Sequence, residues 1–139
     1  MQLQMAKTNK KLKQILFAHS GGEQGSQGKG SFDLVSALKA ELSNEYKIHC
    51  PIIDDPEAPT YEKWKILFSR EFNKIEEPII LVGHSLGSSM LLKYLSEENP
   101  NTSISGLFLV ATPLWGKSGW DVDDFVLQKN FEATFIHMF

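Results

Sequence analysis

One pentapeptide constrains this chain more than any other feature. Gly83-His84-Ser85-Leu86-Gly87 stands between an all-apolar run, Ile79-Ile-Leu-Val82, and a stretch at helical spacing from about Leu86 to Glu97. A chain that passes from strand to helix in so few residues must turn sharply. The turn forces its central residue into a sparsely populated backbone conformation costing about 1–3 kcal/mol. Side chains at positions 83 and 87 would collide with each other or with a neighbouring strand, so both are glycine. The bend lifts the Ser85 hydroxyl clear of the sheet. It also sets that hydroxyl at a helix N-terminus, where N–H groups and the helix dipole favour developing negative charge. A helix start with Ser85 as a simple cap explains the serine but not glycine on both flanks.

The rest of the chain alternates in the same way. Ile15-Leu-Phe-Ala18 reads as a first strand, followed by a Gly-rich loop from Gly21 to Gly30. Ser31 is placed to cap a helix whose apolar residues Phe32, Leu34, Val35, Leu38 and Leu42 recur at helical spacing. A second strand is expected from Tyr46 to Ile53. The two prolines of Asp54-Asp-Pro-Glu-Ala-Pro59 predict a loop. Thr60 then caps a second helix, whose stripe of Tyr61, Trp64, Leu67, Phe68, Phe72 and Ile75 reads as core. Ile79–Val82, apolar throughout, reads as a strand buried on both faces. Ile104 to Ala111 reads as a fourth strand. All-apolar strands alternating with helices predict an α/β three-layer sandwich: a central, mostly parallel sheet of about four strands with helices on both faces.

Composition narrows the function. At 139 residues, 42% hydrophobic and 22% charged, the chain suits one domain with a real core. The net charge of −3 is unevenly spread. Residues 1–13 hold four lysines and no acid, while the remainder holds 10 basic and 17 acidic residues. We therefore expect a flexible basic tail over 1–13 and no nucleic-acid partner for the acidic body. The longest apolar run, Leu107 to Ala111, is far short of a membrane span, so no membrane partner is expected. Cys50 stands alone and lysines interrupt the N-terminus; both point to the cytoplasm. No H-x-x-x-H or C-x-x-C pair is present, so neither metal nor cofactor is expected.

The bend and its surroundings resemble the α/β-hydrolase superfamily, in particular the small serine hydrolases similar to retinoblastoma-binding protein nine and its bacterial relatives. The resemblance covers most of residues 14–135. It rests on the first-strand segment ending His19-Ser-Gly21, the Pro-containing loop before Trp64, residues 83–87 as the nucleophile elbow, and the fourth strand ending Val110-Ala111. It implies that Ser85 attacks ester or acyl substrates. It also implies an oxyanion hole made of the Leu86 N–H and an N–H from Gly21 or Ser20. The family's acid and histidine follow later strands, whereas Phe139 lies about one strand past the fourth. The expectation is a partial, C-terminally truncated hydrolase domain over 14–139, weakly active or inactive.

The histidines bear on that expectation, because a serine hydroxyl needs a base at neutral pH. His137 alone lies downstream of Ser85. An elbow turns His84 away from its neighbour, so it is expected to pack or cap. His19 is expected to shape the oxyanion loop. His49 and Cys50, adjacent in a strand, face opposite ways and cannot form a dyad; Cys50 reads as a core residue. Asp121, Asp123 and Asp124 are read as helix caps, lid residues or a substitute orienting acid. Two other classes compete. A non-catalytic interaction module would use Trp115 and Trp120. A phosphate-binding loop fails on spacing, since Glu23 and Gly30 stand where glycine and Ser/Thr are required before and after Gly28-Lys29. Pro113, Leu114, Trp115 and Trp120 suggest an apolar acyl or aromatic pocket. The fourth strand, left as an apolar edge, predicts marginal stability or self-association.

Overall fold

The computed structural model describes residues 11–76, 78–113 and 123–128. The expectations for Leu114, Trp115, Trp120, Asp121 and His137 fall outside them, as do residues 1–10. Strands β1 (Lys13–Ala18), β2 (Tyr46–His49), β3 (Ile79–His84) and β4 (Ile104–Val110) alternate with helices α1 (Phe32–Leu42), α2 (Tyr61–Lys74) and α3 (Leu86–Glu98). A short 3-10 turn follows at Asp123–Phe125. All strand pairs are parallel, in the order β2-β1-β3-β4.

That order creates a switch point. The chain leaves β1 toward β2 on one side and leaves β3 toward β4 on the other. The loops after β1 and β3 therefore part, opening a crevice at the carboxyl ends of the two central strands. The bend at Ser85 and the Gly-rich loop are these two loops.

The core sits on the face covered by α2 and α3. Trp64, Leu67, Phe68 and Phe72 of α2 pack with Met90, Leu91 and Leu95 of α3 on Leu16, Ala18, Ile79 and Leu81. The α2 stripe is buried throughout, and Thr60 caps that helix by accepting a hydrogen bond from the Lys63 N–H. A bulge between Ile79 and Ile80 resets the β4 register, so Ile104 and Leu107 both reach this core.

Four sequence expectations need correction. First, β1 starts at Lys13, inside the stretch read as tail. Second, β2 ends at His49 rather than Ile53; Pro51 has no N–H for the ladder and restricts Cys50 before it. Third, β3 is buried on one face only. Ile80 and Val82 are half-buried, because among the described residues α1 is the one helix on the second face. An apolar groove of about 370 Å³ is left there, lined by Leu34, Leu38, Ile80, Val82, Phe108 and Val110 among others. Fourth, Ser31 makes no side-chain cap; its hydroxyl has other partners, described below.

Candidate active site

Ser85 stands between β3 and α3, and its backbone bonds to both the sheet and the helix. Its N–H donates to the Val110 carbonyl of β4 at 2.8 Å. Its own carbonyl accepts from the Ser88 and Ser89 N–H groups at 3.0 and 3.3 Å, opening α3. Ser85 alone separates strand from helix, so the backbone reverses at one position, with φ 53° and ψ −121°. A non-glycine residue in this region is strained. Ser85 does not use its side chain as a cap, and its hydroxyl has no hydrogen-bond partner among the described residues.

The two glycines permit close backbone approach. A Cβ on Gly83 would lie 2.7 Å from the Ser88 Cα. One on Gly87 would lie 2.6 Å from the Ala18 carbonyl carbon and closer still to the carbonyl oxygens of His19 and Ala18. The first turn of α3 thus rests directly on the end of β1. Gly21 is brought against Leu86 in turn, where a Cβ would lie 3.1 Å from the Leu86 Cδ2. The bend at Ser85 and the Gly-rich loop meet over the carboxyl ends of β1 and β3, as the strand order requires.

The two candidate loop donors are not equivalent. The Ser20 N–H donates to the Ser31 hydroxyl at 2.9 Å, whereas the Gly21 N–H has no partner among the described residues. Ser31, fully buried, also bonds His84 Nδ1 at 2.7 Å. Gln24 is buried as well. Its Nε2 donates to the Ser20 carbonyl at 3.0 Å, and its Oε1 accepts from the Ile53 N–H at 3.1 Å. Sequence reasoning missed Gln24 altogether and assigned Ser31 to a local cap. Besides Ser20 in the same loop, their partners Ile53 and His84 lie far along the chain, where no local pattern points. Ser88 and Ser89, also fully buried, tie α3 to the carbonyls of Val110 and Pro113 beyond β4.

None of the three described histidines bonds Ser85. His84 is held by Ser31. His49 is held across the sheet by Gln14 Oε1 at 2.6 Å. His19 is 3% exposed, and neither ring nitrogen has a hydrogen-bond partner among the described residues. Burial lowers its pKa from the usual 6.5, a shift partly offset by the Cys50 backbone and deepened by His84 and Lys39. Cys50 is half-buried rather than a core residue, because it lies where the chain leaves β2. Its thiol is pushed above its ordinary range by burial, which disfavours the reactive thiolate. Asp124 caps α2: its Oδ2 accepts from the Tyr61 N–H at 2.5 Å, across 63 positions. Among the described residues no His, Cys, Asp and Glu cluster could hold a metal, and no helix is long and apolar enough to cross a membrane.

Solved structures share this fold. The ydeN gene product from B. subtilis is similar with a TM-score of 0.69 at 21% identity, over 91% of this chain and 66% of its own. The pyrethroid hydrolase PytH, solved as a serine-to-alanine variant, is similar with a TM-score of 0.55 at 18% identity, over 76% of this chain and 42% of its own. The chain thus spans less than two-thirds of either structure. At these identities the likeness shows the fold, an α/β-hydrolase-like one. No curated protein matches the sequence. Residues 24–134, most of the chain with the bend at Ser85 inside them, match the serine hydrolase family, and the chain belongs to it.

Proposed function

We propose that the chain acts as a serine hydrolase on ester or acyl substrates, with Ser85 as the nucleophile. The observation that carries this reading is the strained bend at Ser85, with its hydroxyl unengaged by the described residues beside the first turn of α3. In the proposed reaction the Ser85 Oγ attacks the substrate carbonyl, and its proton passes through solvent water to the leaving group. The N–H groups of Leu86 and Gly21 stabilise the oxyanion, worth about 3–4 kcal/mol per donor in hydrolases of known mechanism. Collapse of the intermediate expels the alcohol or amine and leaves an acyl-Ser85, which water then hydrolyses. Gly83, His84 and Gly87 shape the elbow. The substrate is a small molecule, and the reaction needs no cofactor.

Turnover by these 139 residues alone is proposed to be weak. No described histidine reaches Ser85 to take its proton, and a serine hydrolase stripped of triad members keeps ~10³–10⁴-fold catalysis over water. The test is hydrolysis of p-nitrophenyl acetate by the wild type and by Ser85→Ala. Slow release that disappears in the variant supports the reading. Equal rates in both overturn it. Among the described residues β4 is the edge of the sheet, with Phe108 59% exposed, which favours a second reading as an interaction module. That reading takes over if purified protein shows no Ser85-dependent turnover yet associates through this edge.

A further inference from the structure

We infer that Gln24 and Ser31 are positioning residues: together they clamp the Ser20–Gly21 peptide and aim its N–H at the position of the oxyanion. This rests on the nucleophilic role proposed for Ser85. Peptide planarity links the clamp to the donor. In a trans peptide the C=O of one residue and the N–H of the next are locked in one plane and point in opposite directions. Holding the Ser20 carbonyl therefore fixes where the Gly21 N–H points.

Gln24 holds that carbonyl through its Nε2, at 3.0 Å. Its amide has only one workable orientation. Oε1 must face the Ile53 N–H, which can only donate, and Nε2 must face the Ser20 oxygen, which can only accept. The side chain is buried, so water cannot substitute for either bond.

Ser31 holds the other end of the residue, accepting from the Ser20 N–H at 2.9 Å. The same hydroxyl bonds His84, the residue before the nucleophile. Ser20 precedes the proposed donor and His84 precedes Ser85, so one buried oxygen sets the spacing between the two halves of the site. Gly30 lets the parts meet: a Cβ there would sit 2.9 Å from the Ser20 Oγ and 2.8 Å from the Glu23 carbonyl. The clamp ties the loops after β1 and β2, the start of α1 and the elbow after β3 into one unit.

The experiment measures fluorophosphonate labelling of Ser85 in the full chain, separating the first-order labelling constant from apparent probe binding. It uses Gln24→Glu, Ser31→Ala, Ser31→Thr and Ser85→Ala. Gln24→Glu keeps the shape and the bond from Ile53 but loses the donor to Ser20. Loss of an oxyanion donor outright costs ~10²–10³-fold, and misaiming one is expected to cost about tenfold. Gln24→Glu and Ser31→Ala should therefore slow the labelling step about tenfold with probe binding unchanged, while Ser31→Thr, which keeps the hydroxyl, restores it. Faster hydrogen exchange at the Ser20 amide in Ser31→Ala should accompany the loss. Unchanged labelling in Gln24→Glu overturns the clamp and leaves the nucleophile intact. So does loss in every variant including Ser31→Thr, or a shift confined to probe binding. A wild type unlabelled at Ser85 removes the nucleophile, and the positioning role falls with it.

Discussion

Replacing Gly87 by alanine sets two effects of opposite sign against each other. Gly87 lies in the first turn of α3, and helix propensity alone favours alanine there by up to about 1 kcal/mol. Packing argues the other way. The new Cβ would lie 2.6 Å from the Ala18 carbonyl carbon and closer still to the carbonyl oxygens of Ala18 and His19. Ordinary contact begins near 3.4 Å, so α3 must withdraw by about 1 Å to restore van der Waals separation. The opposing atoms are backbone at the end of a central strand, and they cannot swing aside. Overpacking costs typically 1–3 kcal/mol, and three backbone clashes put this site at the upper end, about 3 kcal/mol. Sterics win, with a net loss of about 2 kcal/mol. In a chain of this size that lowers the melting temperature by roughly 8 °C. Scanning calorimetry of Gly87→Ala against wild type reads the shift directly. Gly28→Ala is the control: no atom lies within 4 Å of its added Cβ, and only its φ of +75° opposes it. Because the clash lies between the elbow and β1, Gly87→Ala should also slow fluorophosphonate labelling of Ser85. A variant that melts at or above the wild type refutes the close-packed bend.

Other contacts make three further outcomes measurable. Asp124→Ala removes one of the two side-chain caps on α2, leaving Thr60, and should cost about 1 kcal/mol, read from the urea midpoint. Labelling of Ser85 should survive, and its abolition would make Asp124 part of the reaction rather than a cap. Acid should weaken the fold through His19. Native burial keeps that ring neutral, while the unfolded chain takes up a proton below the usual 6.5, so stability holds above that pH and falls as pH drops through it. His49 acts with the same sign. A urea midpoint that is equal or higher at pH 5.5 than at pH 7.5 would contradict this, and His19→Gln should flatten the fall. Residues 104–110 carry no charge or proline to protect the β4 edge. Light scattering should find self-association that Phe108→Lys reduces, and a clean wild-type monomer would count against it.

The features legible in the sequence are those with local causes. The Thr60 cap, the α2 stripe and β3 follow from spacing and side-chain type, and each is found where the spacing puts it. The alternation of strands and helices is enough to give the parallel sheet. The bend at Ser85 is readable because strand, glycines and helix are contiguous. What cannot be read depends on partners far along the chain. Ser31 reads as a cap until the fold brings Ser20 and His84 to its hydroxyl. Asp124 reads as one of three tail acids until the N-terminus of α2 arrives beside it. Gln24 gives no signal, since a buried glutamine shows its purpose only when both partners are known. The second face of β3 is only half-buried despite its sequence, because an apolar run does not say how many helices cover it.

The central claim is that the fold presents the Ser85 hydroxyl, on a positive-φ bend, as the reacting atom. Peptide mapping by mass spectrometry after exposure to an alkyl fluorophosphonate addresses it most directly. One covalent adduct is predicted, on Ser85, and it should be missing in Ser85→Ala and after denaturation. Modification of another residue, or equal modification of folded and unfolded chain, would contradict it.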